Sequence, residues 1–552
     1  MYIREVKNRS GSVSIQIISK HRGKYQVVKT VGCGAERHEI DRLKQVARQE
    51  IERLESQPSL FIFENDELIE EAISSLSNSS ISTVGPELIF GRIYDHIGFG
   101  QVKEELFRHL VISRLAFPLS KLKTTEYLYR YQGRSIDVNA IYRFLDRLSN
   151  TLKPEVEKIA FEHTKRTLKD NISVVFYDMT TLYFEASDED DLRKAGFSKD
   201  GKHSNPQIFI GLLVGLGGYA IGYDIFEGNT YEGHTLIPFL ESISAKFKLN
   251  KPIVVADSGL LSDKNIKALE KAKYKYIIGA RLKNESEELQ EKVVSKKYKD
   301  GMFYVIRKNK KQRLIVHYSI KRAKKDFYNR KKGLNRLEKN IKSGKLTKAS
   351  INNRGYNKYL QMDGKVNVKI DYQKFEQDAR WDGLKGYVTN TRLKNDAVLE
   401  NYKNLFHIER AFRMSKTDLR IRPIYHRLRH RIEAHICIAF TAYTVYKELE
   451  RVLKEENASI SLQTASEITH NMYQITYQLP ESKHIKSALL NMDTQQRELY
   501  DIVQKNFQGV AMRKTGKQNH ITFFEKKTCA IHFFLLFHIK KMFTFAPILS
   551  LI

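Results

Sequence analysis

The stretch "VVFYDMTTLYFEASDED", residues 174–190, decides how the rest of the chain is read. Its first ten residues are mostly β-branched, aromatic or apolar, the composition of a strand buried on both faces. One acid, Asp178, interrupts that run. A carboxylate is costly to bury unless a cation or hydrogen-bond donors offset its charge. Asp178 is therefore either a paired or capped strand residue or a metal ligand.

Downstream, "PQIFIGLLVGLGGYAIGYDIFEGN" (206–229) reads as a hairpin turning at Gly217-Gly218. "TLIPFLESISAKF" (235–247) reads as a helix, "PIVVADSG" (252–259) as a short strand, "KNIKALEKAKY" as a helix and "YIIGAR" as a strand. The order β, β, β, α, β, α, β matches an RNase H-like core. Upstream, residues 12–32 read as two alternating strands around Arg22-Gly23, 39–56 as an amphipathic helix, and 88–170 as mainly helical with scattered basic residues.

The charge points to a polyanion. Lys plus Arg total 94 against 64 Asp plus Glu, a net charge of +30 spread over most of the chain, so nucleic acid is favoured over a membrane or an acidic protein. Three widely spaced cysteines support neither a disulfide framework nor a zinc site, which fits a reducing, cytoplasmic setting. The segment 516–552 is apolar, but His538, Lys540 and Lys541 break it below the length of a membrane span.

Residues 281–383 interrupt the core with a basic helical stretch (321–345) and with "VNVKIDYQKFEQDARWDG", read as strands ending at Asp382-Gly383. "KGYVTNT" then resumes the strands, and 396–419 reads as one long helix capped by Asp396. Three acids occupy comparable places: Asp178 inside the first strand, Asp257 at the end of "IVVAD", and Glu409 on this helix. Converging carboxylates suit Mg²⁺ or Mn²⁺, and two such ions about 3.5–4 Å apart serve in-line phosphoryl transfer. Taken singly, Asp257 before Ser258-Gly259 also suits a turn, and Glu409 a solvated helix. On an ideal helix Tyr402, Glu409 and Lys416 fall within a roughly 40° arc, placing an aromatic, an acid and a base along one edge.

These residues resemble the DDE transposases of bacterial insertion sequences, in the branch marked Y-x2-R-x3-E-x6-K. Tyr402, Glu409 and Lys416 fit that spacing, while Leu405 stands where the arginine is expected; Arg410 or Arg413 would have to supply its phosphate contact. "YDMTTLYFE", "ADSGLLS" and "HIERAFRMSKTDLRIRPIYHR" look like the three acidic blocks. The resemblance implies an α/β fold: an RNase H-like catalytic core, a mixed five-stranded sheet with flanking helices, interrupted by a β-rich insertion and preceded by a mainly helical DNA-binding region. It implies domains at 1–60, 61–170, 171–280, 281–383, 384–450 and 451–515 (helical), with the apolar tail after them.

The implied reaction is cleavage at terminal inverted repeats dependent on Mg²⁺ or Mn²⁺, with strand transfer into target DNA by a homodimeric synaptic complex, in the cytoplasm and without a membrane partner. Asp178, Asp257 and Glu409 would be catalytic and hold the ions; Tyr402 would handle a flipped base and Lys416 a phosphate. Trp381, the sole tryptophan, is a candidate for base stacking or for a buried anchor. A nuclease that cuts without joining, and a DNA-binding remnant or repressor, are the competing readings. "GLGGYA" (215–220) lacks the following helix a dinucleotide site needs. Glu189-Asp190-Asp191 reads as a solvated loop, and His407, His426 and His435 as packing or phosphate-facing groups.

Overall fold

The computed structural model describes residues 1–8, 11–21, 23–55, 64–186, 188–196, 204–346, 350–352, 355–363 and 367–508. The apolar tail singled out in the sequence lies outside them. The chain divides into two units. Residues 1–78 with 477–486 form the first. In it β1 (Tyr2–Lys7), β2 (Val13–His21) and β3 (Lys24–Gly34) make an antiparallel sheet. The amphipathic α1 (Arg37–Glu55) covers one face by packing Ala47 with Ile15 and Ile17, and α2 (Glu64–Ser74) follows. The hairpin and helix match the sequence reading. The strand β1, too short and mixed to stand out, is an addition.

The second unit opens with β4 (Ile81–Thr83) and five helices, α3 (Arg92–Ile97), α4 (Glu105–Ala116), α5 (Lys121–Gln132), α6 (Val138–Arg147) and α7 (Lys153–Thr167). The strands then begin: β5 (Val174–Tyr183), β6 (Gln207–Val214), β7 (Ala220–Glu227), α8 (Leu236–Phe247), β8 (Ile253–Ala256), α9 (Asp263–Lys271) and β9 (Lys275–Ala280). The hairpin β6–β7 turns where expected, with Gly217 and Gly218 at φ +73° and +87°, values that favour glycine. The five strands lie in the order β7-β6-β5-β8-β9, with β5–β8 and β8–β9 parallel and the hairpin pairs antiparallel.

The sheet does not stop at five strands. After α10 (Glu287–Val294), β10 (Phe303–Arg307) and β11 (Arg313–Tyr318) join it through β14 (Leu384–Thr389), giving eight strands in the order β10-β11-β14-β9-β8-β5-β6-β7. The first hairpin of the expected insertion therefore extends the main sheet. What stands apart is α11 (Ile320–Lys342), the hairpin β12 (Leu360–Asp363) and β13 (Asn367–Ile370), and α12 (Tyr372–Gln377), around a small core of Leu337, Tyr359, Leu360 and Ile370. The expected strands across 366–383 end at Ile370, because the Asp371 carboxylate caps a helix by accepting from the Lys374 amide at 2.8 Å.

The expected helix 396–419 is also broken. α13 (Asn395–Lys403) and α14 (Phe406–Arg413) are separated by a tightened turn, in which Leu405 N–H donates to Tyr402 and Ile408 N–H to Leu405. A wider π turn, 414–418, follows α14. The N-cap is Lys394, and Asp396 sits inside the first turn. α15 (Arg429–Glu455) is apolar through its middle, from Ile436 to Tyr446, and buried over most of its length, packing on α4, α6 and α7. The C-terminal region is not all helical: between α16 (Leu462–Thr469) and α17 (Thr494–Asn506) lie β15 (Tyr473–Gln478) and β16 (Ile485–Leu489), which form a small sheet with β4. No helix among the described residues is long and apolar enough to cross a membrane.

One buried carboxylate on α15 faces α7. Glu448, 2 % exposed, meets His163 at 3.4 Å and the Arg451 guanidinium at 2.6 Å. Burial alone would raise its carboxyl, but His163 and Arg451 outweigh that and hold it down at about 2. A depressed carboxyl contributes stability that is complete above its unfolded value and is lost as pH falls through the folded one. Glu448→Gln should therefore lower the thermal midpoint near neutrality. The gap from the unsubstituted protein should close as pH falls from about 4.5 toward 2; a gap that is constant over that range would contradict the assignment.

Candidate active site

The face of the sheet under α14 carries the candidate acids. Along β5, Phe176 and Leu182 belong to the core on this side, while Tyr177 and Met179 belong to the core on the other. Alternation therefore puts Asp178 on the α14 side. β5 and β8 are parallel with Tyr177 opposite Ala256, so Asp178 and Asp257 lie one step beyond that pair on neighbouring strands. Val255 belongs to the same core as Phe176, which puts Asp257 on the same face by alternation. On β9 and β14 this face continues with Gly279, Lys385 and Tyr387, since Tyr387 pairs with Gly279.

Asp257 and Glu409 line one cleft of about 940 Å³, bounded also by Arg322, Lys385, Tyr387 and Tyr402. Both acids are exposed, and neither forms an ion pair among the described residues. Asp257 Oδ1 accepts from the Gly259 amide at 2.7 Å, so its carboxylate also shapes the turn after β8. Asp178 is half-buried, and its Oδ1 accepts from the Met179 amide at 2.8 Å. It does not line the cleft itself, although α14 packs directly on β5. Among the described residues no three His, Cys, Asp or Glu side chains are grouped closely enough to hold a metal. The donor chemistry fits a hard divalent cation, since all three groups offer carboxylate oxygen. Gathering all three around one ion requires side-chain movement.

The other named residues separate. Tyr402 is 8 % exposed, with its ring against Tyr387 at 4.8 Å and Lys385 Nζ 4.5 Å above it. It borders the cleft at its edge but is packed, not presented as a free stacking platform. Because of the turn at 404–405 it sits on a different helix from Glu409. Lys416 lies in the π turn, away from that edge, and lines a small cavity with Thr180 and Ile210. Leu405 is buried. Arg410 is ion-paired with Glu450 on α15, and Arg413 is exposed. Trp381 is half-buried on the far wall of the cleft, with Lys283 over its ring at 5.7 Å. His407, His426 and His435 are all held below the usual histidine range, first by burial. Asp190 closes its own loop by accepting from the Leu192 and Arg193 amides and the Arg193 guanidinium.

Sequence reasoning missed Lys385 and Arg322. Burial, then Arg322, holds the Lys385 ammonium below the usual lysine range, while Glu409 and Asp257 pull it back up. A lysine inside the otherwise apolar strand "LKGYVT" was the available signal. The insertion wall is pinned by polar pairs: Arg330 donates to both Asp382 oxygens at 2.8 and 2.7 Å, and Asp378 accepts from Lys283 at 2.6 Å and Tyr359 at 2.7 Å.

The family profile described as "Transposase DDE domain" matches residues 170–445. No curated protein matches the chain. Among solved structures, a piggyBac transposase synaptic complex with hairpin DNA is 9% identical, with 84% of each chain covered and a TM-score of 0.36. A Mos1 transposase paired-end complex with left transposon end is 13% identical, covering 31% of this chain and 58% of that one at a TM-score of 0.15. A Mos1 mariner paired end complex with Mn is 12% identical, covering 29% and 54% at 0.14.

A Cβ at Gly279 would stand 2.4 Å from the Tyr402 hydroxyl oxygen and 3.1 Å from its Cζ. Gly279→Ala should therefore destabilise the fold by about 1–3 kcal/mol in chemical denaturation. Adding Tyr402→Phe should recover part of that loss; equal stability of the single and double variants would show that the hydroxyl does not set the fit.

Proposed function

Since the chain belongs to the transposase DDE domain family, we propose that it binds the terminal inverted repeats of a bacterial insertion sequence and catalyses metal-dependent cleavage and strand transfer. The observation that carries this reading is the parallel pairing of β5 with β8, which sets Asp178 beside Asp257 on the face that α14 covers with Glu409. The strand order β7-β6-β5-β8-β9 supports an RNase H-like core built from 171–280 and 384–450, with 281–383 as the insertion. Tyr402, Glu409 and Lys416 support placement in the Y-R-E-K branch, with Leu405 departing from it.

In this reading Asp178, Asp257 and Glu409 hold one or two Mg²⁺ or Mn²⁺ ions. Bound there, such ions would activate the attacking hydroxyl and stabilise the leaving 3′ oxygen. The chain's own groups do the positioning. Lys385 supplies counter-charge between Asp257 and Glu409, and Arg322 reaches the same cleft from α11. The exposed basic face of α11 suits a phosphate backbone. Arg413, Arg410 and Lys416 are proposed DNA contacts, Arg410 after release from Glu450. Tyr402 and Trp381 are proposed base contacts, Tyr402 only after Lys385 moves off its ring. Regions 1–60 and 61–170 would hold element ends, and 451–515 would support the core. A homodimer bridging two ends, a cytoplasmic, nucleoid-associated location and no membrane partner complete the proposal.

Strand transfer with end-repeat duplex and Mg²⁺ separates this reading from a nuclease, which would cut without joining, and from a repressor, which would only bind. Asp178→Asn, Asp257→Asn and Glu409→Gln should each cut cleavage by about a thousandfold or more while leaving end binding within about threefold, less than 1 kcal/mol. Equal loss of binding and cleavage would remove the acids from the chemistry. In a separate titration, DNA affinity should fall steeply with salt as counterions are released; a flat response would refute an extended phosphate-contacting surface.

A further inference from the structure

Away from the cleft, four basic side chains lie within electrostatic reach of one another around the segment 419–426, and no acid among the described residues offsets them at Lys121 or His435. Arg114 comes from α4, Lys121 from the first turn of α5, His426 from the segment between the π turn and α15, and His435 from α15. Arg114 is 6 %, Lys121 7 % and His435 6 % exposed. Arg114 uses Nη1 to donate to the carbonyls of Leu419 and Arg420 at 3.4 and 3.3 Å. His435 Nε2 is 3.0 Å from the Ile421 carbonyl, and its ring meets that of His426 edge-on at 5.5 Å. Lys121 has neither a hydrogen bond nor an ion pair among the described residues.

The nearest charged neighbours do not compensate. Arg431 adds a further positive charge toward His426, and Asp146, on α6, is engaged by Arg431 at 2.7 and 3.0 Å and by His430 at 2.9 Å. Removing an ammonium and a guanidinium from water side by side is expensive unless an anion joins them. Accordingly, burial and then Arg114 hold the Lys121 ammonium well below the lysine range in the free protein. An oxyanion would reverse that. Tetrahedral phosphate oxygens can accept from an ammonium, a guanidinium edge and an imidazolium at once.

We propose that Arg114, Lys121 and His426 form a recessed site for a single phosphate group, with His435 fixing the loop that carries His426. A backbone phosphodiester of DNA and free phosphate share this chemistry, and the two arms of the test below tell them apart. A role on DNA rests on the transposase reading above; the anion site does not. Arg114 and His435 hold the carbonyls of 419–421, which follow α14 and its π turn, so a phosphate held there would brace the segment leading from the Glu409 helix to α15.

The test uses the full chain and has two arms. In the first, inorganic phosphate is titrated at constant ionic strength and the thermal midpoint is followed. The unsubstituted protein should gain several degrees, while Lys121→Met, which keeps the apolar stem but cannot bind an anion, should gain nothing. His426→Gln, which keeps most of the packing, should show a weakened gain and serves if Lys121→Met does not fold. Equal gains in protein and variants, or none in any, overturn the site. In the second arm, duplex DNA affinity is measured against salt. A slope reduced by about one in Lys121→Met identifies a backbone phosphate as the ligand. An unchanged slope with a lost phosphate response identifies free phosphate and leaves the transposase reading untouched.

Discussion

The parallel pairing of β5 with β8 is the constraint on which the candidate site depends. Parallel neighbours need a crossover, and here it consists of the β6–β7 hairpin and α8, so two acids far apart in sequence arrive on adjacent strands. Because side chains alternate, a slip of one residue in β5 would turn Asp178 to the side where Tyr177 and Met179 pack against α8. The surrounding apolar residues prevent that slip. Phe176 and Leu182 on one face, and Tyr177 and Met179 on the other, are each buried in a different core. The hydrophobic effect thus fixes where the carboxylate sits, although the carboxylate itself gains nothing from burial.

The opposite wall is held by charge instead. Arg330, buried on α11, grips Asp382 just before β14, and Asp378 gathers Lys283, Lys358 and Tyr359. Burial would raise Asp378, but those donors outweigh it and hold the carboxyl at about 2. These acids are spent on pinning the insertion, whereas Asp257 and Glu409 form no ion pair among the described residues. That difference separates structural from candidate functional carboxylates within one cleft. It also explains how α11 can expose a row of lysines and arginines on its outer side: its inner side is anchored by a few satisfied pairs.

Much of this was legible in the sequence, because strand runs such as "IVVAD" and "YIIGA" are dense in β-branched residues and their order admits few topologies. What was not legible depended on tertiary partners. The hairpin β10–β11 gives no sign in its own residues that β14 will pair with it, so the sheet grew from five strands to eight. Asp371 looked like a strand residue until its cap of α12 was seen. Lys385 was not singled out in its strand, because the acids that act on it, Glu409 and Asp257, come from other parts of the chain. The three acids were legible as candidates, but their spacing in three dimensions was not.

The helix after β14 shows why spacing alone misleads. Residues seven apart drift by only about 20° on an ideal helix, which is why Tyr402, Glu409 and Lys416 seemed to share an edge. The tightened turn at 404–405 overwinds the backbone, and the π turn at 414–418 underwinds it. The first change leaves Tyr402 and Glu409 in one cleft even though they belong to different helices, since both are laid across the same sheet face. The second carries Lys416 toward Thr180 on β5. What the sequence interval preserves between Tyr402 and Glu409 is therefore position over a strand register, not a helical face, and the rigid partner that gives it meaning is the sheet beneath.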